Sequence, residues 1–441
     1  MRILLTNIKL CDGSGTETLI RDLSLALRHR GHVVICFAPT IGRLAAEIRA
    51  TGTPVVQSLE TLAEAPDIIH GHHGGPTMMA LARFRDARAV FVCHDWGSVY
   101  DDPPRHPRIG RYLYVRHVLR ERLVSENALA REQVTFWGNT IDLDRVGGAK
   151  ALPPRPRTAG VYCHAGRIPF LPLLAAVCAA HGIEFLGEIL RPQGDHSHPE
   201  AALAGCDLVL ASGRMAIEAV AAGCAVINAD HFGIGGLITS ETLDAFLAAN
   251  FAIGALSAPA CGQSIGRALE RYDAADAAAV TAQVRRECDI VAGTARLETI
   301  YRQVLKDAGA RPLDRTAEDA ALARYLEQSL QHGRLYQSEF ARRIFTPTPA
   351  DELHATVRKL EMQIEHLGSA IDELSSQTRA LASAPPGWSL TLLWQALQAR
   401  WSRRRAKPAR PRRGAANPGT SAPLAGPQNA EGAAGAPARL Q

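Results

Sequence analysis

The apolar positions of this chain fall into two rounds of one rhythm. Met1–Asn7 is an apolar run, Ile8–Gly15 is polar and glycine-bearing, and Thr16–Arg30 sets Leu19, Ile20, Leu23, Leu25 and Leu27 at helical spacing. Gly31 and His32 stop that helix, and Val33–Ala38 is apolar again. The pattern reads strand, loop, helix, strand, the unit of a parallel sheet. Short apolar runs recur at Ile68–Ile69 and Ala89–Cys93. After the proline-rich Leu152–Pro156 the rhythm restarts with Val161–His164, a helix over Leu171–Ala180, Glu184–Leu186, Leu208–Ala211, a helix over Arg214–Ala222, and Ala225–Asn228. Pro153, Pro154 and Pro156 mark an interdomain hinge. The fold expected is α/β, with two Rossmann-like doubly wound domains over residues 1–150 and 151–308, and a cleft facing the carboxyl ends of both sheets.

Thr281–Ala308 predicts one long helix closing the second domain, and Thr316–Ile344 predicts another before Pro347 and Pro349. The extension, residues 309–383, then turns to a heptad pattern. Leu353, Val357, Leu360, Ile364, Leu367, Ile371 and Leu374 alternate at spacings of four and three, with Leu381 in phase and Thr378 the polar seam position. Residues 351–383 therefore predict a coiled coil and a homo-oligomer, a dimer by preference. In residues 384–441, Trp388–Trp401 predicts an amphipathic helix with Leu390, Leu393, Trp394, Leu397 and Trp401 on one stripe. The rest is Ala-, Pro- and Gly-rich and reads as a disordered basic tail.

Length and composition fit this division. The 441 residues are 46% hydrophobic, enough for two cores. The nine cysteines are scattered with no C-x-x-C pair, which suits a reducing compartment. Met1–Thr6 enters a strand with no signal-peptide pattern, and no stretch approaches the roughly 20 apolar residues of a membrane span, so a cytoplasmic protein is expected. From Ala384 onward nine Lys or Arg face one acid, a net +8 against +5 for the whole chain, which leaves −3 for residues 1–383. The basicity belongs to the tail. Its indoles and the cations between Arg403 and Arg413 predict peripheral contact of segment 388–413 with an anionic membrane. Nucleic acid is not an expected partner, because the acidic body offers it no basic face.

The first loop, Gly13-Ser14-Gly15-Thr16-Glu17-Thr18, fails the dinucleotide fingerprint G-x-G-x-x-G at Thr18, and no P-loop motif occurs. A glycine turn opening on a helix N-terminus remains, a place for an anion. Asp67–His73 puts His70, His72 and His73 at a strand end, read as a polar loop lining the cleft rather than a metal site. Phe91–Trp96 delivers His94 and Asp95 at another strand's carboxyl edge. Asp142-Leu143-Asp144 matches D-x-D but reads as a turn and helix start. The most informative stretch is Asp207–Asp230, DLVLASGRMAIEAVAAGCAVINAD, in which a buried strand leads through Ser212 and Gly213 into a helix carrying Glu218. A carboxylate there can accept both hydroxyls of a ribose. The alternative is that Glu218 only pairs with Arg214 at i, i+4.

Together these segments resemble the retaining GT-B glycosyltransferases of the large family 4 group, over roughly residues 1–308. The resemblance is carried by the glycine loop with Glu17, by Asp67–His73, by Trp137–Arg145 (WGNTIDLDR), by Gly166-Arg167 and above all by the segment around Glu218. It implies a nucleotide-sugar donor as substrate, no cofactor and no metal. It implies donor contacts from Gly15, Gly213 and Glu218, an active-site His94, and Arg167 on the diphosphate. The chain departs from the pattern at Leu210, where the family has a first Glu, and at Pro172, where it has a Lys. Arg214, at the start of the Glu218 helix, is the candidate for the missing cation. The acceptor implied is a glycan or a lipid-linked sugar in cell-surface polysaccharide synthesis. The rival reading is a non-catalytic GT-B scaffold that acts through its coiled coil and tail. A sugar-nucleotide epimerase of the same fold receives little support.

Overall fold

The computed structural model describes residues 1–11, 15–95, 99–163, 170–190, 199–309 and 313–345, with most of their side chains as far as residue 331. The predicted coiled coil at 351–383, segment 388–413 and the tail lie outside the described residues. Residues 1–341 form one compact unit, and all packing described below is within it.

The first sheet has seven strands: β1 (Arg2–Thr6), β2 (Val33–Phe37), β3 (Val55–Val56), β4 (Ile68–Gly71), β5 (Arg88–Cys93), β6 (Ile109–Tyr114) and β7 (Val134–Phe136). Their order is β3-β2-β1-β4-β5-β6-β7, with every neighbouring pair parallel. The order reverses direction between β1 and β4, which opens a crevice at their carboxyl ends. The register sets Leu5 beside His70 and Thr6 beside Gly71 there. Between β1 and β2 runs helix α1 (Gly15–His29), which buries Leu19, Ile20, Leu23, Ala26 and Leu27. Glu17 in its first turn and Arg28 and His29 in its last complement the helix dipole. Helix α2 (Gly74–Arg83) follows β4.

The second sheet comprises β8 (Thr158–Tyr162), β9 (Glu184–Glu188), β10 (Leu208–Ala211), β11 (Ala225–Asp230) and β12 (Gly233–Leu237), in the order β9-β8-β10-β11-β12. All pairs are parallel except β11 with β12. Alternation along the strands fills a core on each face. Tyr162, Val209 and Ala211 point to one, and Val161, Leu208 and Leu210 to the other. A short helix, α3 (Leu143–Val146), follows β7, and the second domain contributes α4 (Leu171–Ala180) and α5 (Gly213–Ala221).

The single helix expected over Thr281–Ala308 is two, α6 (Ala274–Glu287) and α7 (Ile290–Gly309). The break falls where Ile141 takes over the backbone bonds. Ile141 N donates to Cys288 O at 2.8 Å, Ile290 N donates to Ile141 O at 2.9 Å, and Asp289 Oδ1 accepts from Val291 N at 3.0 Å. The two bonds of Ile141 join residues about 150 positions apart, so no local window contains them. Beyond the break α7 returns to the first domain, where Leu297, Tyr301 and Val304 complete its core. The approach is close: a Cβ on Gly293 would overlap Thr140, and one on Gly110 would meet Val304 Cγ1 at 2.9 Å. Helix α8 (Arg315–Phe345) also packs against the first domain, with buried Glu318 placed 3.1 Å from Arg108 Nε.

Candidate functional site

On the first domain's side the cleft is built around histidines. β4 delivers His70 from its interior, and the chain continues through His72 and His73 into α2. His73 takes φ +88°, a conformation rare for a side-chain-bearing residue. It is held there by Ile8 N, which donates to its Nδ1 at 3.3 Å, and by Thr77 Oγ1, which donates to its carbonyl at 2.8 Å. Gly71 is required beneath that turn, because any Cβ would overlap the Thr77 hydroxyl. His94 follows the last residue of β5, its amide donating to Asp101 Oδ1 at 3.3 Å. His72 Nδ1 and His94 Nε2 lie 2.7 Å apart with near-parallel rings. His70 Nδ1 lies 2.6 Å from the hydroxyl of Tyr301, which α7 brings in, and Trp137 closes the cluster edge-on.

Burial pushes His70 down to about 3 and His73 to about 4, and drives His72 well below the usual imidazole range. His94 is pushed to about 3 by burial first, then by the neighbouring His73, His70, Arg116 and Arg214. All four imidazoles are therefore neutral at pH 7. Arg214, from the second domain, is thus among the charges that act on His94.

On the second domain's side, Gly213 opens α5 with φ +58°, and its amide donates to Phe251 O at 2.7 Å. The side chain of Ser212 does not cap the helix. The start of α5 therefore keeps its positive dipole end, although the Gly213 amide is already committed to Phe251 O. Glu218 lies further along α5, only 3% exposed. Its Oε1 accepts from Arg145 Nη2 and from Arg214 Nε at 3.2 Å, and its Oε2 accepts from the Tyr162 hydroxyl at 2.7 Å. Arg214 also pairs with Asp22 on α1 and donates to Thr140 O. Arg145 lies 3.5 Å from the same Asp22 carboxylate. Two carboxylates and two guanidiniums thus form a buried bridge between the domains, and Arg21 adds a further cation 3.0 Å from Asp22 Oδ1. Desolvation opposes ionisation of Glu218, but Arg145, Arg214 and the Tyr162 hydrogen bond outweigh it and hold the carboxyl below its ordinary 4.5.

Of the residues singled out in the sequence, His94, Gly213, Arg214 and Glu218 come together at this cleft. Gly15 opens α1, with open space where a Cβ would stand. Glu17 beside it is buried, accepts from Cys11 N and faces Lys9 Nζ at 3.5 Å. Arg167, with Gly13 and Ser14, lies outside the described residues. Asp142 of the D-x-D sequence caps α3, accepting from Asp144 N at 3.0 Å and Arg145 N at 3.3 Å, and so orients Arg145 toward Glu218. Among the described residues no group of three His, Cys, Asp or Glu is arranged to hold a metal. Leu210 is fully buried inside β10, and Pro172 sits in the first turn of α4. A carboxylate at 210 would therefore point into a core rather than at a ligand.

Sequence reasoning missed Asp22 and Tyr162, and saw Arg145 only as part of a turn. Asp22 had a signal, since it is an acid on the apolar stripe of α1, between Leu19 and Leu23. Nothing local pairs it with Arg214, 192 positions away.

Residues 13–145 match the family model described as Glycosyltransferase Family 4. No curated protein matches the sequence. Among solved structures, a glycosyltransferase from Rickettsia africae shares 12% identity, covering 69% of this chain and 99% of that one at a TM-score of 0.50. The catalytic domain of starch synthase IV from Arabidopsis thaliana, bound to ADP and acarbose, shares 13% identity over 69% and 99% at 0.48. Anabaena HepE in complex with UDP and glucose shares 14% over 68% and 99% at 0.46. The chain thus has the GT-B fold, two facing Rossmann-like domains, with a first domain that matches glycosyltransferase family 4 over residues 13–145.

Proposed function

We propose that the chain transfers a sugar from a nucleotide-sugar donor, held in the cleft, to a glycan or lipid-linked acceptor in cell-surface polysaccharide synthesis. The observation that carries the reading is Glu218 in the helix opened by Gly213, across the cleft from neutral His94. In this reading the ribose hydroxyls displace the Tyr162 and Arg145 hydrogen bonds to Glu218, while Arg145 keeps its attraction to Asp22. The nucleoside diphosphate leaves as its negative charge grows, and the amides at the start of α5, Arg214 and Arg167 neutralise that charge in place of a metal or cofactor. His94 contacts the donor sugar. The acceptor attacks from the face the diphosphate leaves, which retains the anomeric configuration without a protein nucleophile.

The test is release of free nucleoside diphosphate from a panel of UDP-, GDP- and ADP-sugars with EDTA present. Turnover of at least one donor is expected. If no donor is cleaved and no nucleotide binds by calorimetry, the reading falls to the non-catalytic scaffold. That rival draws on Leu210, Pro172 and the saturation of Glu218 by protein partners.

The extension supports two further proposals: dimerisation through residues 351–383, and peripheral attachment of segment 388–413 to the inner membrane face. No helix among the described residues is long and apolar enough to cross a membrane. The full-length chain is expected to sediment as a dimer and to float with anionic liposomes at low salt but not at high salt. Sedimentation as a monomer would remove the first proposal, and failure to float the second.

A further inference from the structure

The histidine cluster contains more order than the proposed chemistry uses. Between His72 Nδ1 and His94 Nε2, 2.7 Å apart, there is room for one proton. Both rings are neutral, so one nitrogen donates and the other accepts. The arrangement around them decides which.

Tyr301 is fully buried, and burial disfavours its phenolate, so its hydroxyl donates to His70 Nδ1. His70 must then carry its own proton on Nε2. That nitrogen and His72 Nε2 are both fully buried and without a partner among the described residues. The two rings adjoin, with centroids 4.7 Å apart. A proton on His72 Nε2 would set two unsatisfied N–H dipoles in neighbouring rings. With a lone pair there instead, only one unsatisfied N–H remains, and unsatisfied buried acceptors are tolerated better than unsatisfied donors. The proton of His72 therefore sits on Nδ1 and is donated to His94 Nε2.

We propose that His72 is a positioning residue that fixes His94 as its Nδ1–H tautomer, so that His94 offers the cleft an N–H donor instead of a bare nitrogen. The consequence for catalysis rests on the reading of His94 as the donor-sugar contact: the bound sugar hydroxyl must accept from His94. The tautomer of His94 is independent of that reading. The chain Tyr301, His70, His72, His94 also ties the setting of a first-domain residue to α7, the helix that links the domains.

The experiment uses the full-length protein labelled with 15N-histidine, read by long-range 1H–15N correlation spectra, with His94 assigned by loss of its signal in His94→Asn. Wild type is expected to show His94 protonated on Nδ1. His72→Leu, which can neither donate nor accept, is expected to return it to Nε2–H, the form that free imidazole favours. His72→Asn, whose amide nitrogen stands in for Nδ1, is expected to keep Nδ1–H and covers the case in which the Leu variant does not fold. Observing His94 as Nε2–H in wild type overturns the proposal. In donor turnover, His72→Leu is expected to lower kcat about tenfold with KM little changed, the worth of one neutral hydrogen bond, and His72→Asn to restore most of it. Equal kcat in wild type and His72→Leu overturns the catalytic consequence. Absence of turnover in wild type instead counts against the proposed function and leaves the spectra to decide the tautomer.

Discussion

Replacing Glu218 with alanine is expected to abolish nucleotide binding in calorimetry and to destabilise the protein by about 3–5 kcal/mol. The stability loss follows from the geometry: the side chain is 4% exposed, and its removal leaves the buried Arg145 and Arg214, among the described residues, to share the Asp22 carboxylate. Breaking a buried pair leaves an uncompensated charge, which costs more than the pair contributed. Glu218→Gln separates the two effects. It keeps the shape and an oxygen for Tyr162 but not the charge, and is expected to fold, lose part of the stability and bind nucleotide at least tenfold more weakly. Unchanged nucleotide affinity in either variant would remove Glu218 from the donor site. The pH dependence has a fixed sign. Arg145 and Arg214 hold the Glu218 pKa below its ordinary 4.5, so its contribution is full above that value and is lost as pH falls through the folded-state pKa. Denaturation midpoints measured between pH 7 and pH 3 should fall for wild type and stay flatter for Glu218→Gln.

The second large effect is expected from Asp22. In the first domain, it is the carboxylate that meets Arg214 and lies 3.5 Å from Arg145. Asp22→Ala leaves Glu218 as the carboxylate that answers both buried guanidiniums among the described residues, and a destabilisation of about 3–5 kcal/mol is expected in urea denaturation. Because Asp22 and Arg214 bridge the two domains, their effects should not add. The Asp22→Ala/Arg214→Ala double variant is expected to be more stable than the sum of the single losses by more than 1 kcal/mol. Additive losses would mean that the bridge is not formed in solution.

How legible this was depended on the range of the interactions. Leu171–Ala180 and Leu208–Ala211 stand in the structure with the limits read from the sequence, because each is an unbroken apolar run whose ends are marked by polar or turn residues. β6 carried no such mark, since Gly110 and Arg111 interrupt its apolar positions, and β12 (GIGGL) is three-fifths glycine. At the site, Glu218, Gly213 and His94 were found because each lies at the end of a buried strand or in the helix that follows one. Of its partners only Arg214, four residues away, was legible; Arg145, Tyr162 and Asp22 were not, because they reach it across 73, 56 and, through Arg214, 192 positions. A spacing rule describes neighbours on one element. It is silent on which buried charge a distant element will answer.

The return of α7 bears on the order in which the protein is made. Leu297, Tyr301 and Val304 fill the core beneath the first sheet, yet they are translated after every strand of the second. A nascent chain ending near residue 150 holds seven strands but not the helix that covers them, and its apolar face stays open to chaperones or to other chains. The amino-terminal domain therefore matures last. Its closure waits for the ribosome to pass residue 304, so synthesis couples completion of one half to completion of the other.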